Sequence, residues 1–155
     1  MILIVVFAFP VPILEILLLP ENSLVFRANI SKNRGFELQY THSWDKTPVW
    51  DIFMVDSWGN LILDREEYLW MGAGLESFPQ GNLSFDGDRV SVVLGKRIND
   101  LQLAVGTVAN HKLIINSKEI PLVNYVDPGS KILIKTKLEP WPIFYLKEVN
   151  KNEEE

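Results

Sequence analysis

"GFELQYTHSWDKTPVWDIFMVD", residues 35–56, holds two runs of β-branched and aromatic residues around a polar interruption. Such residues suit a pleated, half-buried surface. Side chains alternate across a strand, so Phe36, Leu38, Tyr40 and His42 point one way, and Glu37, Gln39, Thr41 and Ser43 the other. In the second run Val49, Asp51, Phe53 and Val55 share one side, and Trp50, Ile52 and Met54 the other. Neither run carries a helical stripe. The stretch reads as a β-hairpin.

The same grammar extends along the chain. "SLVFRANI" (23–30), "LILDREEYLWM" (61–71), "RVSVVLG" (89–95), "LQLAVG" (101–106), "KLIIN" (112–116), "EIPLV" (119–123) and "KILIKTKL" (131–138) are short strand-forming runs. "SKNRG", "SWGN", "FDGD", "NSK" and "DPGS" stand between them and supply turn residues. In 131–138 Ile132, Ile134, Thr136 and Leu138 face one side and lysines dominate the other, as in a sheet with one wet face. The fold class is all-β: a single antiparallel sandwich or barrel-like domain of about nine strands. "EPWPIFYL" (139–146) reads as an edge segment or a flap, and "KEVNKNEEE" (147–155) as a charged flexible tail.

The beginning of the chain differs. "MILIVVFAFPVPILEILLL" (1–19) is apolar apart from Glu15. It approaches the length of about 20 residues that spans a bilayer, and membrane helices tolerate kinks of the kind Pro10 and Pro12 would cause. The expected organisation is a signal or anchor segment over 1–20, a β-domain over 21–146 and the tail. A buried strand or helix of the domain itself is the alternative. No basic residue precedes the run, and Arg27, Lys32 and Arg34 follow it, the reverse of what an extracytoplasmic domain prefers.

Composition excludes several chemistries. The 155 residues carry 15 basic and 20 acidic side chains, a net charge of −5. That disfavours nucleic acid and anionic headgroups as main partners. Without cysteine there is no disulfide, thiolate metal site or cysteine nucleophile. With only two histidines a multi-His metal centre has little to build on. No cofactor is called for.

The hairpin holds the residues that resemble a site. If the loop 43–48 closes simply, His42 faces Val49, Tyr40 faces Asp51, and Asp51 is a diagonal neighbour of His42 that would orient its imidazole. A slip of one residue sends Asp51 to the other face. His42 and Ser43 diverge, which counts against a serine hydrolase. In "WMGAGLE" (70–76) Gly72 and Gly74 permit a bulge, or a close backbone approach presenting N–H groups to an anion. His111, at the start of 112–116, reads as structural before it reads as a ligand.

Taken together, "YTHSWDKTPVWDIF", "YLWMGAGLE" and "VGTVANHKLIINSKEIPL" resemble the domain of unknown function 1850 family over about residues 24–138. Tyr40, His42, Ser43, Thr47, Pro48, Val49, Gly72, Ala73, Gly74, Leu75, His111 and Leu113 match its pattern. Trp44, Asp45, Asp51 and Glu76 depart from it. The resemblance implies a small membrane-anchored, extracytoplasmic protein without established activity. It also implies an association with the TAXI subgroup of tripartite ATP-independent periplasmic (TRAP) transporters.

The leading expectation is therefore a non-enzymatic accessory of such a transporter. It would contact the permease or the solute-binding protein through a rim carrying Tyr40, His42, Ser43, Trp44, Asp51, Gly72, Gly74 and His111. Two other readings are a small-ligand or lipid-binding barrel and a hydrolase or isomerase built on a His42–Asp51 pair.

Overall fold

The computed structural model describes residues 9–44, 46–69 and 83–145. The chain runs through β1 (Pro10–Leu18), β2 (Ser23–Asn29), β3 (Gly35–Thr41), β4 (Pro48–Val55), β5 (Leu61–Tyr68) and β6 (Leu83–Asp86). It continues with β7 (Arg89–Ile98), β8 (Leu101–Ala104), β9 (Lys112–Ile115), β10 (Lys118–Pro121) and β11 (Lys131–Pro140). All pairings are antiparallel. A four-stranded sheet has the order β2-β1-β11-β8, and a seven-stranded sheet the order β10-β9-β3-β4-β5-β7-β6. The all-β sandwich is as expected, with β1 and β6 added to the nine runs legible in the sequence. The 139–146 stretch divides: Glu139 and Pro140 extend β11, and residues 141–145 form one helical turn.

Alternation places the core. Phe36, Leu38, Phe53, Val55, Leu113 and Ile115 cover the inner face of the large sheet, and Leu14, Ile16, Ile132 and Ile134 the inner face of the small one. Phe36 and Phe53, opposite each other on β3 and β4, stack with ring centroids 4.9 Å apart. Each such side chain contributes about 1.5–3 kcal/mol through burial. Gly35 admits no side chain, since a Cβ there would lie 2.2 Å from the Phe53 carbonyl oxygen.

β1 corrects the expected boundary at residue 20. Pro10–Leu18 is an interior strand, paired with β11 on one side and β2 on the other. It is buried on both faces: Leu14 and Ile16 enter the core, while Ile13 and Leu17 are buried on the outside. A strand covered on both sides reads as a continuous apolar run, and that is why it resembles a membrane segment. Pro10 and Pro12 stand before the β2 ladder begins at Ile13, where a missing N–H is tolerated. Among the described residues no helix is long and apolar enough to cross a membrane.

Glu15, the one charge in the run, lies opposite Arg27 on β2 and Lys135 on β11. Its carboxylate is 2.6 Å from Lys137 Nζ and 3.4 Å from Arg27 Nε. Arg27 also pairs with Glu139, and its guanidinium lies over the Phe144 ring, 5.1 Å from the centroid. The helical turn that carries Phe144 thus roofs a buried ion-pair network on the outer face of the small sheet. Arg27 thus serves this network.

The sandwich has two distinct ends. At one lie the β3–β4 loop and the 105–111 loop, joined where the Thr41 N–H donates to the Ala109 carbonyl (2.7 Å). At the other lie the β4–β5 turn and the junction of β1 with the end of β11. There Thr136 Oγ1 donates to the Gly59 carbonyl (3.0 Å) and the Trp141 N–H to the Phe9 carbonyl (3.1 Å).

Candidate functional site

The register of the hairpin decides which side chains meet. Tyr40 pairs with Val49, Leu38 with Asp51 and Thr41 with Pro48. The His42 N–H donates to the Thr47 carbonyl (2.8 Å), so His42 sits opposite Thr47, four positions along the strand from Asp51. Four residues of strand is about 13 Å. This corrects the expected His42–Asp51 neighbourhood: the loop is two residues shorter than assumed, and the pair that a general base would need is not formed. Ser43 and Trp44 are on the exposed loop, where the Ser43 carbonyl accepts from Lys46 Nζ (2.6 Å). Gly72 and Gly74 lie outside the described residues.

Asp51 meets a different partner. It stands directly opposite Glu66 across the β4–β5 ladder, on the inner face between Val49 and Phe53. Like charges so placed repel, and burial penalises the Asp51 anion. Burial first, and the Glu66 carboxylate second, push the Asp51 carboxyl up to about 7. Asp51 Oδ1 is buried without a hydrogen-bond partner among the described residues. Tyr68 donates its hydroxyl to Glu66 Oε2 at 2.5 Å. Burial and the adjacent carboxylates hold the Tyr40 and Tyr68 hydroxyls far above their ordinary value, so both remain protonated donors.

The histidine near this cluster is His111. Its ring lies 5.9 Å from that of Tyr40, centroid to centroid, and its Nδ1 accepts from the Gly106 N–H (3.3 Å). Burial lowers its pKa, which favours neutral imidazole. Tyr40, Asp51 and His111 therefore come together with Glu66 and Tyr68, while His42, Ser43 and Trp44 lie beyond the end of the strand.

Sequence reasoning missed Glu66 and Tyr68 because β5 carries a bulge. Ile52 pairs with Arg65 and Phe53 with Leu63, leaving Asp64 over and reversing the parity of the strand. Leu61 and Leu63 face inwards before the bulge, and Glu66 and Tyr68 after it. The available signal was a Glu two residues before a Tyr, a pair that shares one face wherever the strand is regular.

Chemically, the cluster can hold a proton near neutral pH and offer carboxylate and phenol groups to a hydrogen-bonding ligand. No group of three or more potential metal ligands occurs among the described residues. Tyr68 packs with Val49, Val90 and Val92, and Tyr40 beside them, in a small second core separate from the main one. Beyond it three apolar side chains stand open at this end of the sandwich: Trp44 is 88 % exposed, Val108 69 % and Phe85 64 %.

The family model of the domain of unknown function DUF1850 matches residues 36–122, and the chain belongs to that family. The matched stretch contains the acidic pair, both tyrosines, both histidines and Trp44. No curated protein and no solved structure matches the chain.

Proposed function

We propose that this member of the DUF1850 family is a non-enzymatic accessory of a TAXI-type TRAP solute transporter. It works on the extracytoplasmic side of the membrane and contacts the permease or the solute-binding protein through the end that carries Trp44. The observation that carries the reading is the exposure of Trp44, Val108 and Phe85 around one end of the sandwich. Large apolar side chains held at the end of a sheet bury much area at little cost in entropy, which is the make-up of an interaction hot spot.

A carrier with an interior site needs space between the sheets, which Leu14, Ile16, Phe36, Phe53, Ile132 and Ile134 occupy. A hydrolase built on His42 and Asp51 needs a contact that the register prevents.

The test is affinity purification of the tagged full-length chain from native membranes, with Trp44→Ser and Val108→Asp beside wild type. Wild type is expected to bring down transporter components and either variant to lose them while remaining folded. Recovery of the wild-type chain alone, or full retention by both variants, overturns the reading.

A further inference from the structure

At the end opposite Trp44, four large rings lie in the open. Trp58 is 84 % exposed and Phe9 68 %, with Tyr145 and Trp141 about half exposed. The Trp141 N–H donates to the Phe9 carbonyl, which makes these two residues neighbours. The Trp141 and Tyr145 rings meet edge to face at 5.7 Å. Trp58 belongs to the β4–β5 turn, whose Gly59 packs against Leu138. Leu138 is three residues before Trp141, about 10 Å along the strand.

The surroundings identify the kind of surface these rings fit. Indole and phenol are amphipathic and settle at the level of lipid headgroups, with the ring towards the acyl chains and the polar atom in water. Lys32, Arg34, Lys96 and Arg97 are exposed at this end, against Asp56 and Asp100. Two of these cations are fixed on the turn that carries Trp58: Arg34 Nη2 donates to the Asp56 carbonyl (2.8 Å) and Arg97 Nη2 to Asn60 Oδ1 (2.5 Å). The chain is acidic as a whole, so this local excess of positive charge stands out against the net −5. Phe9 also directly follows "MILIVVFA", eight residues without a charge.

We infer that this end seats on the surface of a lipid bilayer, its four rings in the headgroup region and Arg34 and Arg97 against lipid phosphates. It deepens the accessory reading by supplying the membrane contact, and it leaves the Trp44 end directed away from the lipid. The whole β-domain, β1 included, stays folded in this arrangement.

The test is co-sedimentation of the purified full-length chain with vesicles of phosphatidylethanolamine and phosphatidylglycerol. Wild type is expected to sediment with the vesicles. Combined Trp58→Ser and Trp141→Ser is expected to weaken partitioning about tenfold or more, from the apolar area lost. Trp44→Ser leaves it unchanged. Quenching of tryptophan fluorescence by bromine-labelled acyl chains, seen in wild type and reduced in the double variant, reports the same seating independently of pelleting. Wild type that stays in the supernatant overturns the inference, as does a folded double variant that sediments like wild type. The vesicles contain no protein, so failure of the transporter reading leaves this result untouched.

Discussion

Asp51 and Glu66 face each other across β4 and β5 on the buried side of the large sheet, and Asp51 keeps its proton to a higher pH in the folded protein than in the unfolded chain. The Asp51 carboxyl moves from an ordinary value of 3.8 up to about 7. A raised folded-state pKa means that the stabilisation is fully present below pH 3.8 and is lost as pH rises through about 7. Asp51→Asn keeps the shape and removes the titration. We expect urea unfolding to show wild type losing on the order of 2–4 kcal/mol relative to this variant between pH 4 and pH 8. Parallel stability curves for the two proteins would show that Asp51 titrates normally.

Tyr68→Phe removes the hydroxyl that donates to Glu66 and keeps the ring between Val49 and Val90. The expected cost is about 1–3 kcal/mol, since an acceptor beside the second core loses its donor. A midpoint of chemical denaturation equal to wild type would mean that solvent replaces the hydroxyl.

In the network on the outer face of the small sheet, the two ends of the ion pairs are not equivalent. Arg27→Met leaves Glu15 with lysines only and strips Glu139 of its guanidinium, at an expected cost of about 3–5 kcal/mol. Glu15→Gln costs less, because Arg27 keeps Glu139 and the two lysines, each about 40 % exposed, turn to water. Comparing the denaturation midpoints of the two variants checks the order, and the reverse order would place the centre of the network on Glu15.

Leu14→Ala probes β1 directly. As a fully buried residue of the core it should cost about 2–5 kcal/mol, and Ile16→Ala a similar amount. Residues of a separate membrane segment would leave the thermal midpoint of the domain unmoved.

How far the sequence could be read follows from which faces are wet. β3, β4 and β11 were legible because Phe36 and Leu38, Phe53 and Val55, and Ile132 and Ile134 recur at every second position. β1 was not, because both its faces are covered and its single charge is matched from neighbouring strands, a context absent from the linear pattern. β6 was missed for the opposite reason: "LSFD" is four residues long, at the sheet edge, and mostly exposed. At the site, Asp51 was placed on the correct face of β4. Its partner was not, because the hairpin register depends on two loop residues and the β5 bulge reverses parity at Asp64. His111 reaches Tyr40 through a loop held by Gly106 and Ala109, a tertiary contact that no local spacing encodes.

The most direct test of the two-ended arrangement is photo-crosslinking in native membranes, with benzoylphenylalanine placed at position 44 or at position 58 of the full-length chain. The expected result is a crosslink from position 44 to a transporter component and from position 58 to lipid. Crosslinks to protein from position 58 and to lipid from position 44, or no protein adduct from position 44 at all, would contradict it.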